Sequence, residues 1–164
     1  MIDLKLQEKI AIITGANRKI GIGASVAKAL AKQGVKVFIS YLRMEEDDFK
    51  HQEPLYKKGQ ASTADKVVQE IRAFGGIAEA CEADLTVVKN IPKLFNQAEK
   101  MLGPVEILVN NAGYCNPDTF IPRTRFVEEK TGQITNAINA AVYEKHFAVN
   151  TKAISLMIEE FAKL

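Results

Sequence analysis

The chain has 164 residues, 47% of them apolar, which suffices for one sizeable hydrophobic core but hardly for two. Its 22 Lys and Arg residues nearly balance its 20 Asp and Glu residues, so the charge excludes a strongly basic nucleic-acid or membrane surface. The two cysteines match neither a disulfide framework nor zinc-ligand spacing, and no apolar run is long enough to cross a bilayer. The N-terminus lacks the apolar core of a signal peptide, so we expect one cytoplasmic domain with no metal site and no nucleic-acid or membrane partner.

The first part of the chain has the pattern of a strand, a helix and a second strand. A β-branched run, residues 9–14, ends in a turn at Gly15 and is typical of a strand buried on both faces. Helical spacing of apolar residues follows over 24–33, and a second strand over 35–40 completes a βαβ unit. The polar stretch 41–60 is predicted to be an extended connection.

The rest of the chain continues this alternation. The predicted elements are a helix over 61–74, a strand over 77–83, a helix over 90–102, a strand over 105–110, a loop over 114–131 and a helix from Gln133 to the C-terminus. Apolar residues are spread widely around the last helix, so we expect it to be buried on more than one side. Four alternating strands predict an α/β fold, a Rossmann-like doubly wound parallel sheet in the order 3-2-1-4, with a ligand crevice between strands 1 and 4.

Three motifs follow the predicted strands at one edge of this sheet. Gly15, Gly21 and Gly23 lie between the first strand and the first helix, where a bare backbone and a helix N-terminus can hold a phosphate. Asp84 follows the third strand, and the segment 110–113, Asn-Asn-Ala-Gly, follows the fourth. Because the carboxyl ends of parallel strands share one edge, we expect all three motifs to meet there.

In this order the motifs resemble those of the short-chain dehydrogenase/reductase family, which carries Thr-Gly-x-x-x-Gly-x-Gly, Asp and Asn-Asn-Ala-Gly after the same strands. The interval from Gly15 to Gly21 is two residues longer than the family usually has. Either Lys19 replaces the middle glycine, or two residues are inserted and Gly21 and Gly23 are the second and third glycines. The interval from Gly23 to Gly34 matches the usual helix length, so we favour the insertion, which resembles the acyl-carrier-protein ketoreductases.

The resemblance implies a nicotinamide dinucleotide site, with Asp84 and Leu85 at the adenine and Asn111, Ala112 and Gly113 beside the nicotinamide ribose. The predicted cofactor-binding residues are Gly15, Asn17, Arg18, Lys19, Gly21, Ile22, Gly23, Tyr41, Arg43, Asp84, Leu85, Asn111, Ala112 and Gly113. Asn150 resembles the helix Asn that helps to form the family's proton-relay water site, and it is the candidate catalytic residue.

The end of the second strand indicates which nucleotide binds. An NAD site normally has Asp or Glu there, and an acid would repel the 2′-phosphate of NADP. This chain has Arg43 instead, and Arg18 or Lys19 could join it in charge-assisted bonds to a phosphate. We therefore expect NADP(H), with NAD less favoured. The alternative is that Arg43 simply begins a solvated loop, since the acidic run 45–48 follows it.

The acid/base pair that the family implies is missing. Family members use a Tyr, and a Lys four positions later, to move the proton during hydride transfer at a carbonyl or alcohol carbon. None of the four tyrosines has a Lys at that position. We therefore expect residues 1–164 to be an incomplete dinucleotide-binding domain that lacks the family's C-terminal strands and its catalytic Ser, Tyr and Lys.

Two functions follow from these expectations. The first is an NADP(H)-dependent oxidoreductase acting on an unidentified carbonyl or alcohol, represented by its cofactor-binding half. The second is a catalytically silent nucleotide-binding or interaction module. In either case we expect a homo-oligomer in which a second copy covers the apolar C-terminal helix.

Overall fold

The structure is a computed structural model, in which residues 4–44, 58–116, 118–122, 126–127 and 134–164 are described. Strands and helices alternate as far as residue 109. Their bounds are β1 Ile10–Thr14, α1 Ile22–Lys32, β2 Lys36–Tyr41, α2 Asp65–Ala73, β3 Ala78–Glu82, α3 Asn90–Leu102 and β4 Ile107–Val109. The strands are parallel in the order β3-β2-β1-β4, so the predicted Rossmann-like sheet and its strand order are confirmed.

Short strands precede the last helix. The bounds are β5 Asp118–Thr119, β6 Phe126–Val127, β7 Ile134–Ala137, α4 Ala140–Phe147, a π-helical turn Ala148–Ala153 and α5 Ile154–Phe161. The prediction of a helix from Gln133 is wrong, because β7 pairs with β5 and β6. Asn139 begins the helix instead, since its side chain accepts a hydrogen bond from the Val142 N–H at 3.0 Å.

In the middle of the chain, one predicted segment lies mostly outside the described residues and one predicted helix boundary differs from the structure. Most of the predicted connection 41–60 lies outside the described residues, since 45–57 are not among them. The second helix begins at Asp65 rather than Ala61. Its N-cap residue is Ala64, and no side chain among the described residues caps the helix there.

Alternate residues of β1 belong to two different layers of the core. Ala11 and Ile13 pack in one cluster with α1 and α2, whereas Ile10 and Ile12 pack in a second cluster with α3 and Met157 of α5. Every residue of β1 is buried, as predicted for a strand covered on both faces. The central strand is therefore rigidly placed, and the turn that follows it has a fixed origin.

The C-terminal helical segment, 140–161, is buried on one side only. Ala153 and Met157 are its buried residues, whereas Tyr143, Phe147 and Ile158 are about half exposed. The expected burial on several sides is therefore wrong for the single chain. Among the described residues, the helices are all too short or too polar to span a bilayer.

Replacing Leu94 by Ala tests the core layer under α3. The side chain is 1% exposed, so the change removes buried apolar volume and is expected to lower the free energy of unfolding by about 2–5 kcal/mol. Met101 on the same helix is 46% exposed, and Met101→Ala is expected to cost only about 0.5 kcal/mol. Urea unfolding followed by circular dichroism measures both changes, and equal losses would contradict this packing.

Candidate functional site

A single threonine joins the ends of the two central strands. Thr14, the last residue of β1, is 1% exposed, and its hydroxyl accepts hydrogen bonds from the backbone N–H groups of Asn111 (3.0 Å) and Ala112 (2.9 Å). The same hydroxyl donates to the carbonyl of Val109 (3.4 Å). One side chain thereby satisfies three backbone groups at the end of β4 and holds that segment beside the turn at Gly15.

Asn111 joins the same two segments through its side chain. Its Nδ2 donates to the carbonyls of Thr14 (2.9 Å) and Gly15 (3.0 Å). Gly15 has a φ of +68°, and a Cβ there would lie 2.7 Å from Ala112 Cα, so the close approach requires glycine. A Cβ at Gly23 would lie 2.5 Å from Asn111 Nδ2, so the start of α1 packs against the same asparagine.

Helix α1 begins beside these two segments. Gly21 is its N-cap, and within the described part of the chain no side chain caps its first turn, which carries no acidic residue. Ile22, the first helical residue, is 77% exposed. The free backbone N–H groups and the positive end of the helix dipole at such a terminus favour an anion.

These elements form one wall of a cleft of about 1140 Å³ at the carboxyl edge of the sheet, which we call the rim cleft. The predicted site residues that line it are Gly15, Asn17, Arg18, Ile22, Tyr41, Arg43, Asp84, Leu85, Asn111, Ala112, Gly113 and Asn150. Lys19, Gly21 and Gly23 are outside its lining. Its volume slightly exceeds the roughly 300–1,000 Å³ of typical ligand pockets, so it suits an extended ligand.

The long turn after β1 is held from behind by α2 and by the segment before it. Asn17 is buried, and its Nδ2 donates to the carbonyl of Ser62 at 2.9 Å. Lys19 Nζ lies 2.8 Å from Glu70 Oε1, and Lys28 Nζ donates both to Glu70 Oε2 (3.1 Å) and to the Lys19 carbonyl (3.0 Å). The hydrogen bonds from Lys19 and Lys28 lower the pKa of Glu70, and the hydrogen bond to Glu70 raises the pKa of Lys19. Lys19 is thus directed at α2, and the structure gives its predicted phosphate contact no support.

Arg43 lines the rim cleft but is already paired with an acid. Its Nε donates to both carboxylate oxygens of Glu82 (3.1 and 2.9 Å), and its Nη2 lies 2.8 Å from Glu82 Oε2. The Arg43 backbone N–H donates to Glu82 Oε1 at 3.0 Å. The side-chain hydrogen bond from Arg43 is the main reason why the pKa of Glu82 lies below its ordinary value. Sequence reasoning missed Glu82, although the β2–β3 register, which pairs it with Tyr41, could have located it.

Asp84 shapes the turn that follows β3. Its Oδ1 accepts hydrogen bonds from the N–H of Thr86 (2.9 Å) and from the Thr86 hydroxyl (2.7 Å), while Asn90 Nδ2 donates to the Asp84 carbonyl (2.9 Å). Asp84 therefore stabilises the entry to α3 and, together with Leu85, lines the cleft.

Asn150 lines the cleft and is hydrogen-bonded to the backbone of Tyr114, which also lines it. Its Oδ1 accepts from the Tyr114 N–H and its Nδ2 donates to the Tyr114 carbonyl, both at 2.8 Å. It lies in the π-helical turn, a distortion that often marks a functional site. Sequence reasoning missed Tyr114 and its neighbours. Lys145 Nζ lies 4.7 Å from the Tyr114 ring centroid, and the His146 ring packs edge-on against it.

Comparison with known proteins shows which family has this arrangement. The family model described as short chain dehydrogenase matches residues 9–164. The chain belongs to the short-chain dehydrogenase family. A hydroxynaphthalene reductase-like protein of Metarhizium robertsii is 32% identical over 148 residues, which cover 90% of this chain and 43% of that protein. An L-rhamnose 1-dehydrogenase (NAD(P)(+)) of Azotobacter vinelandii is 36% identical over 126 residues, which cover 77% and 43%.

Solved structures of the family share the architecture of this chain. A doubly substituted variant of the Serratia marcescens short-chain dehydrogenase/reductase matches 96% of this chain and 51% of its own, with 25% identity and a TM-score of 0.69. A dehydrogenase/reductase from Sinorhizobium meliloti matches 96% and 49%, with 27% identity and a TM-score of 0.68. This chain thus spans about half the length of these structures, and the family predicted from its motifs is confirmed.

Replacing Thr14 by Val tests the hydroxyl that joins the strand ends. The change keeps the size of the side chain but leaves the N–H groups of Asn111 and Ala112 without an acceptor, so we expect the free energy of unfolding to fall by about 2–4 kcal/mol. Thr14→Ser keeps the hydroxyl and is expected to cost at most about 1.5 kcal/mol. Urea unfolding compares them, and a Val variant as stable as the Ser variant would refute the role of the hydroxyl.

Proposed function

We propose that this short-chain dehydrogenase binds a nicotinamide dinucleotide in the rim cleft and that it prefers NADP(H) to NAD(H). The observation that supports this most strongly is the contact between the Gly15 turn and the segment after β4, held by Thr14 and Asn111. This contact puts the turn and the start of α1 on one wall of a cleft whose volume, about 1140 Å³, suits a ligand as large as a dinucleotide.

The residues present suit each part of such a cofactor. The bare backbone at Gly15 and the acid-free start of α1 would hold the pyrophosphate. Asp84 and Leu85 would lie at the adenine, and the segment 111–113 would lie beside the nicotinamide ribose, as in the family pattern. Because Lys19 is paired with Glu70 away from the cleft, the preference for a 2′-phosphate rests on Arg18 and Arg43.

The bound nicotinamide would supply or accept the hydride. The chain's own residues bind the dinucleotide, and Asn150 holds the backbone of Tyr114 in the wall of the cleft. The substrate would be a carbonyl or an alcohol, the chemistry that the names of the two relatives suggest. We further propose that a homo-oligomer forms through the half-exposed apolar residues of the C-terminal helix and that the protein is cytoplasmic.

A second candidate function is cofactor binding without catalysis. It is favoured by the sequence, in which no Tyr is followed four positions later by Lys. The 164-residue chain would then hold NADP(H) as a silent nucleotide-binding or interaction module.

Substitution of Ile22 tests the pyrophosphate site. A carboxylate in the first turn of α1 would repel the pyrophosphate and compete for the same N–H groups, so Ile22→Glu is expected to raise the Kd for NADPH about tenfold or more. Glutamine has the shape of glutamate without its charge, so Ile22→Gln is expected to bind NADPH with a Kd within about threefold of the wild-type value. Fluorescence titration with NADPH measures both. Because an acid at a helix N-terminus stabilises the helix, we expect Ile22→Glu to stay folded, and equal Kd values would count against the proposed site.

A turnover assay tests whether the 164 residues of this chain are sufficient for catalysis. The 164-residue chain is mixed with NADPH and a panel of ketones and aldehydes, and the absorbance of NADPH is followed. We expect binding without oxidation of NADPH, because the sequence offers no Tyr and Lys pair for the proton. Steady oxidation that depends on the carbonyl compound would show that other residues of this chain supply the acid.

A further inference from the structure

Glu82 is an acidic residue that pairs with Arg43, one of the two arginines proposed to contact the 2′-phosphate of the cofactor. Glu82, the last residue of β3, accepts hydrogen bonds from the side chain and from the backbone N–H of Arg43. Its Oε2 lies 2.8 Å from Arg43 Nη2, and the pair has the bidentate geometry that gives arginine its strongest contacts with carboxylates. Arg43 therefore does not enter the rim cleft as a bare cation.

Arg43 and Glu82 differ in their position relative to the rim cleft. Arg43 lines the rim cleft, as do Ala83 and Asp84, whereas Glu82 is outside the lining. The carboxylate therefore lies behind the guanidinium, with 30% of its side chain exposed against 53% for Arg43. The guanidinium has five N–H donors, so the edge away from Glu82 can still donate to a phosphate.

We propose that Glu82 is a specificity-determining residue that weakens the binding of the 2′-phosphate and so brings the affinities for NADP(H) and NAD(H) closer together. This inference rests on the proposed function of the rim cleft. Glu82 has two opposite effects on the binding of the phosphate. It favours binding because it orients Arg43, and it opposes binding because its negative charge, on the other side of the guanidinium, offsets the charge of Arg43. Because orienting one half-exposed side chain is a small gain and the phosphate carries nearly two charges, repulsion dominates.

The same carboxylate has no such effect on NAD(H), whose adenine ribose carries a hydroxyl in place of the phosphate. Glu82 therefore acts on the ratio of the two affinities and not on cofactor binding as a whole. A second arginine–glutamate pair, with the glutamate on β3 and the arginine on α2, provides a matched control. Arg72 pairs with Glu79, and neither of them lines the cleft.

The test measures Kd values for NADPH and NADH with wild type, Glu82→Gln and Glu79→Gln by fluorescence titration. Glu82→Gln is expected to tighten NADPH about five- to tenfold and to leave NADH within about twofold, whereas Glu79→Gln changes neither. An unchanged ratio of the two Kd values in Glu82→Gln, or one that shifts towards NADH, would overturn the inference. Circular dichroism confirms that each variant is folded.

Two further arms identify the cause of any change. Adenosine 2′,5′-bisphosphate and adenosine 5′-monophosphate replace the dinucleotides, and the gain from Glu82→Gln should appear for the bisphosphate alone. In an Arg43→Gln background the gain should shrink to about twofold or less, and a full gain there would contradict competition for Arg43. If the wild-type chain binds neither dinucleotide, the proposed function itself fails, which is distinct from failure of the role of Glu82.

Discussion

The candidate site depends on contact between two backbone segments from distant parts of the sequence, which the hydroxyl of Thr14 and the side chain of Asn111 hold together. Neighbouring parallel strands β1 and β4 bring their carboxyl ends to one edge, but a strand end alone leaves its N–H groups unpaired. Thr14 pairs them, and Asn111 returns hydrogen bonds to the Gly15 turn. The glycine at position 15 is then required by contact with Ala112 as well as by its backbone conformation.

Sequence reasoning recovered what depends on local spacing. The buried strand at 10–14 and the glycine turn follow from the periodicity of apolar residues and from turn residues, which act over a few positions. The strand order follows from the alternation of four strands with helices, which is typical of a doubly wound sheet. The helix predicted from Gln133 failed because strand pairing across β7 overrides a helical pattern there. Boundaries of this kind depend on partners elsewhere in the chain, which one sequence does not reveal.

The ion pairs of the charged side chains also depend on distant parts of the chain and could not be predicted from the sequence. Lys19 and Arg43 were both predicted to face a phosphate, yet each is paired with a glutamate on a neighbouring element, Glu70 of α2 or Glu82 of β3. The sequence indicates which cations lie near the turn, but their partners depend on strand register and on helix placement. We therefore expect cofactor preference to depend on the ion pairs at the cleft and not only on the number of nearby cations.

Binding of a dinucleotide at the rim cleft is tested most directly by mapping NADPH onto the backbone with ¹⁵N chemical shifts. The largest shifts are expected at the amides of Gly15, Ile22 and Gly113, which line the cleft. Gly34 and Gly103 precede β2 and β4 at the opposite edge of the sheet, and their amides are expected to stay unchanged. No shifts at saturating NADPH, or shifts centred on the opposite edge, would contradict the assignment of the rim cleft as the cofactor site.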